Sequence, residues 1–106
     1  MNEKILDTIK KMISVNDDWF DVDILVLINN SISTLRQLGM SSNDLFIVTS
    51  DSLWSDYITN EKYFGDIQTY IYMRVKRVFD PPSSQALLEA MNQHIAEIEW
   101  RLINDK

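Results

Sequence analysis

Both prolines of this chain stand side by side, in Phe79-Asp80-Pro81-Pro82-Ser83-Ser84, and that pair constrains the fold more than any other feature. Proline lacks an amide hydrogen and its ring clashes with the carbonyl four residues back. Inside a helix it therefore costs about 3 kcal/mol. Pro81 also biases Asp80 away from helical dihedrals. An apolar pattern of helical spacing runs up to Phe79, and a second one begins beyond Ser84. One helix must stop at Asp80, the prolines stiffen a corner, and Ser83 or Ser84 caps the helix that follows. Asp80, Pro81 and Pro82 are thus read as a helix corner.

The rest of the chain is helical segments of the same kind. Ile5, Leu6, Ile9, Met12 and Ile13 form one apolar stripe within residues 3–13. Asn16, Asp17 and Asp18 interrupt it as a polar loop, with Trp19 and Phe20 just beyond. Asp21 is the expected N-cap of a second helix, and Asp23 suits the positive end of its dipole. That helix carries Ile24, Leu25, Ile28, Ile32, Leu35 and Leu38, and Gly39 ends it from the C′ position.

Residues 41–44, SSND, favour a turn, and the stretch around 45–49 is short, β-branched and aromatic, which favours an extended segment. Asp51 and Ser52 could cap a short helix holding Leu53, Trp54, Tyr57 and Ile58. After an interruption at TNEK, a fourth helix runs from about Tyr63 to Phe79. Phe64, Ile67, Ile71, Val75 and Val78 share one face, flanked by Tyr70, Arg74 and Arg77. The last helix shows Leu87, Leu88, Met91, Ile95, Ile98 and Leu102. Its twenty or so residues span about 30 Å, long for a chain of 106 residues, so part of it is expected to pack on something else. The fold class is mainly all-α: four to five helices, a long C-terminal helix and a short extended piece near 45–49, in one domain over 1–106.

Composition excludes several functions. No apolar run approaches the about 18 residues a membrane span requires, and the amphipathic, acid-bearing start is unlike a signal or transit peptide. Cysteine is absent, which removes disulfides and thiolate metal sites. The net charge of −6 repels nucleic acid over most of the surface. His94, the single histidine, has only Glu97 at i+3 and is read as a structural or surface residue. Asp17, Asp18, Asp21 and Asp23 lack the glycine turn and the bidentate Glu of a calcium loop. With two glycines in all, a backbone phosphate cradle is not expected. The sequence therefore points to no enzyme, no cofactor and no metal.

What remains are interaction residues. Arg74, Lys76 and Arg77 cluster three of ten basic residues, either to stabilise a helix C-terminus or to meet acids of a neighbouring copy. Trp54, Trp100 and Arg101 are candidate interface anchors, although a core role for either tryptophan is the simpler reading.

The order of these features resembles the small head–tail connector (adaptor) proteins of tailed double-stranded DNA bacteriophages and prophages. The resemblance rests on a first helix with a DD-containing loop, DILVLINNSISTLRQLG, LWSDYI, DIQTYIYMRVKRVFDPP and ALLEAMNQHIAEIEWRL, from about Ile5 to Leu102. It implies a mostly helical neck protein, not an enzyme, that assembles with itself into a ring, with twelve the expected number of copies. The ring would sit beneath the portal protein, carry a downstream neck or tail protein and extend a channel through which DNA passes without specific binding. It also implies a place in the virion neck, after assembly in the bacterial cytoplasm. The alternative is a small helical prophage regulator acting by protein or DNA binding.

Overall fold

The amphipathic segments become helices where their spacing puts them. The structure, a computed structural model, describes residues 1–40 and 46–104. Its helices are α1 (Ile5–Met12), α2 (Asp21–Gln37), α3 (Trp54–Tyr57), α4 (Phe64–Phe79, entered through a 3₁₀ turn at Glu61–Tyr63) and α5 (Gln85–Asn104). The whole measures 35 × 31 × 19 Å. The short dimension is about two helix layers, and α5 alone, about 30 Å long, nearly spans the longest.

Helix α4 is the axis of the molecule. Phe20, just before α2, meets Phe79 at the far end of α4 edge-on, with ring centroids 5.2 Å apart. The two helices therefore run antiparallel. Helix α5 also runs antiparallel to α4, as shown by the bonds Arg77–Asn92, Tyr70–Glu99 and Asp66–Arg101. Flanked on two sides, α4 buries a wider band than one stripe: Ile67, Tyr70, Ile71, Met73 and Val75. Two expectations change as a result. Tyr70 is fully buried instead of flanking the core. Val78 is 62 % exposed, because Phe79 turns inward at that end.

The N-terminal segment is tied to the turn before α3. Ile5 N–H donates to Ser52 O at 2.9 Å, Trp54 N–H to Glu3 O at 3.1 Å and Ser55 N–H to Met1 O at 2.9 Å. Lys4 and Leu53 form an isolated antiparallel bridge. Trp54 is fully buried; its indole N–H donates to Thr8 Oγ1 at 2.9 Å and its ring meets Phe64 edge-on.

Several caps differ from expectation. Asp21 is the first residue of α2, not its N-cap. Phe20 holds the N-cap position without a side-chain bond, because the Asp21 carboxylate is drawn to Lys10 at 2.8 Å. Asp51 and Ser52 do not cap α3. Ser52 Oγ instead accepts from Thr49 N–H, and Asp56 reaches back to accept from Leu53 N–H at 2.8 Å. Gly39 does end α2, with φ 83°. Gly39 N–H donates to Arg36 O and Met40 N–H to Leu35 O, satisfying carbonyls the helix leaves free.

The turn expected at 41–44 and the first residue of the extended piece, Leu45, lie outside the described residues. Residues 46–49 are neither helix nor strand. Val48 is instead read by the Asn29 side chain of α2: its N–H donates to Oδ1 at 2.8 Å and its carbonyl accepts from Nδ2 at 3.1 Å. A single amide replaces the strand partner that the β-branched sequence suggested.

The corner forms as the prolines dictate. Asp80 leaves helical geometry at φ −150°, ψ 70°. Lys76 Nζ donates to the Asp80 carbonyl at 3.1 Å and pairs with its carboxylate at 3.3 Å. Ser84 starts α5, its Oγ accepting from Leu87 N–H at 3.4 Å.

Candidate interaction site

Three features can engage another molecule, or fix the parts that do. The first is the seam between α4 and α5. Tyr70 Oη donates to Glu99 Oε2 at 2.6 Å and accepts from Arg74 Nη1 at 3.3 Å, while the Arg74 guanidinium lies over the Tyr70 ring. Burial, with the Glu99 bond second, pushes the Tyr70 phenol up to about 12. A short bond to a carboxylate is among the stronger hydrogen bonds, so this seam fixes the register of α5 on α4. Arg77 Nη1 adds a bond to Asn92 Oδ1 at 3.0 Å.

The second feature is an open groove of about 350 Å³ at the other end of that seam. Tyr63, Asp66, Trp100, Arg101, Leu102 and Asn104 line it. Trp100 is 65 % exposed. Arg101 Nη2 pairs with Asp66 Oδ1 at 3.2 Å, and Asn104 Nδ2 donates to Trp100 O at 2.8 Å. The Lys62 ammonium sits over the Tyr63 ring, 5.5 Å from its centroid.

The third is the loop between α1 and α2. Trp19 is 86 % exposed, yet the loop that carries it is clamped. Lys10, buried on α1, reaches Asp18 at 3.2 Å and Asp21 at 2.8 Å. The bond that Lys10 donates to Asp21, more than any other influence, raises the Lys10 amine above its ordinary value. Asp17 Oδ1 accepts from Trp19 N–H at 3.1 Å. Ser14, left-handed at φ 63°, ends α1 and turns the chain into the loop. Val22 and Val26 continue the exposed apolar face along α2, 74 % and 53 % exposed.

The sequence-derived candidates separate on this geometry. Trp54 is corrected: fully buried in the core, it is not a surface anchor. Arg74, Lys76 and Arg77 each have a partner within the chain, in Tyr70, Asp80 and Asn92 respectively. Trp100 and Arg101 share the groove. For the regulator alternative, the described residues after Gly39 supply no DNA-reading helix before α4: 46–49 is not helical, and α3 is four residues long with a buried tryptophan.

Sequence reasoning missed Glu99, Asn29 and Trp19. Glu99 reads as a surface acid until Tyr70 is known to be buried. For Trp19 there was a signal: a tryptophan within an acidic loop, outside every apolar stripe.

In comparison with known proteins, the family model described as phage connector protein matches residues 5–106. No curated protein and no solved structure matches the chain.

Proposed function

Because the chain belongs to the phage connector protein family, we propose that it is a structural neck protein that forms a ring between the capsid portal and the tail. The family is a structural one, and membership implies association with other phage head and tail proteins. Among the described residues no helix is long and apolar enough to cross a membrane.

The observation that carries the reading is the extent of the match, which runs through all five helices, the corner and the α4–α5 seam. In this reading copies of the chain pack side by side and the ring continues the DNA exit channel. It also presents a platform to the next neck or tail component. It performs no catalysis and needs no cofactor. The net charge of −6 supports a channel that lets DNA slide instead of holding it. The first half of α5, from Gln85 to His94, contains no fully buried residue and is the face offered to the portal or to a neighbour. Trp100 and Arg101 are the interface anchors of this reading.

Deletion of the gene tests it. Filled or DNA-leaking heads without tails are the expected outcome, seen by electron microscopy. Normal tailed virions with altered transcription would instead establish the small regulator.

A further inference from the structure

We propose that Trp19 of one copy docks into the groove between the start of α4 and the last turns of α5 in a second copy, joining copies head to tail. This rests on the ring reading above and names the contact that closes it.

The first argument is presentation. An isolated surface tryptophan normally lies down on its own protein, but Trp19 is 86 % exposed in a loop held by Lys10–Asp18, Lys10–Asp21 and the Asp17 turn. A large side chain held in place before binding loses little freedom when it docks, which is the mark of an interface anchor. The second argument is position. Phe20, next to Trp19, touches Phe79 at the end of α4, whereas the groove includes Asp66 in its first turn. Thirteen residues at 1.5 Å each put about 20 Å between them along the axis. No copy fills its own groove, so the contact joins two different surfaces and propagates, closing when the rotation closes.

The third argument is charge. Two copies at −6 each repel except where an acid meets a cation. Asp17 is exposed and Asp18 is 92 % exposed beside the tryptophan. The groove answers with Arg101, 44 % exposed next to Asp66. A guanidinium has five N–H donors, so one bond to Asp66 leaves Arg101 able to donate to a second carboxylate.

The test is sedimentation velocity on the full chain up to about 1 mM, the weak end of specific affinity. Wild type should grow with concentration. Trp19→Ala should stay folded by circular dichroism and weaken association at least ~30-fold, as loss of an anchor does. Arg101→Glu should also abolish growth. Arg101→Ala, which places no like charge beside Asp66, should weaken it less. Trp19→Ala keeps the groove and Arg101→Glu keeps the tryptophan, so mixing the two should give dimers and nothing larger. A wild type that remains monomeric, a Trp19→Ala variant that assembles normally, or a mixture without dimers would each overturn the contact. Rings that persist in Trp19→Ala leave the connector reading standing. Tailed particles without this chain defeat that reading and leave the contact to be judged by sedimentation.

Discussion

The two halves of α5 carry the same apolar spacing and meet different fates. From Ile95 onward, Ile95, Ile98 and Leu102 are buried, Glu99 accepts from Tyr70 and Arg101 pairs with Asp66. Before it, Leu88 and Met91 are only half-buried, Leu87 is 62 % exposed, and among the described residues the polar tie to α4 is the pair Arg77–Asn92. The difference lies on α4. Its first half offers Ile67, Tyr70 and Ile71, while its last turns offer Lys76, Arg77 and an outward Val78. An amphipathic stripe states what a helix can bury. How much it does bury depends on the surface opposite.

The sharpest way to break this contrast is to truncate both halves. Ile98→Ala removes a fully buried side chain and should cost about 2–5 kcal/mol in urea denaturation. Leu87→Ala, in the exposed half, should shift stability by no more than ~0.5 kcal/mol. Equal losses would mean that the first half of α5 is packed as well as the second.

Tyr70→Phe is the next largest effect. It leaves the Glu99 carboxylate and Arg74 without their shared hydroxyl, and should cost about 1–3 kcal/mol. Amide exchange should quicken first in the second half of α5. Loss confined to α2 would break the assignment of this seam.

Alkaline titration sharpens the same point. Tyr57 and Tyr70 are both raised from 10.0 to about 12, burial being the main cause in each. The fold favours the neutral phenol, so this stability is fully present below about pH 10 and is lost as pH rises toward 12. Lys10 is raised too, chiefly by its bond to Asp21. Its share is complete below 10.5 and disappears as pH climbs through its folded value. Tyrosinate absorbance should show a late phase near pH 12, and Tyr70→Phe should diminish it.

At the corner the expected change in stability is small. Pro81→Ala with Pro82→Ala should lower stability by about 1 kcal/mol, while the direction of the exposed half of α5 changes. Ring formation or head attachment should fall far more than the melting temperature. Normal rings, seen by electron microscopy, would reduce the corner to a helix stop.

Most of the helical architecture was legible because apolar spacing and proline chemistry are local. The corner at Asp80 and the end of α2 at Gly39 needed no knowledge of the rest of the chain. The burial of Tyr70 and the exposure of Val78 and Leu87 depended on two helices flanking α4, which no single stripe encodes. The end of α1 was hidden for another reason. Ser14 adopts the left-handed geometry that Gly39 adopts, but only the glycine announces it. Of the interaction site, Trp100 and Arg101 were legible as a pair, whereas the clamped loop beneath Trp19 depends on Lys10, eight residues before Asp18.

The bond pair between Asn29 and Val48 has a consequence for how such a chain can vary. Residues 46–49 are located by an amide on α2 that grips backbone, not side chains. The loop's address is therefore written in the helix, and sequence drift at the exposed Ile47 leaves that address intact. Position 29 has no such freedom. Both of its amide hydrogens are engaged, one by Leu25 O and one by Val48 O, and its oxygen takes the Val48 N–H. An aspartate there would turn a donor into a second acceptor facing two carbonyls. Neighbouring positions are thus under opposite rules of inheritance: Ile47 is free to diverge, whereas the buried Val48 and the Asn29 that holds its backbone are not.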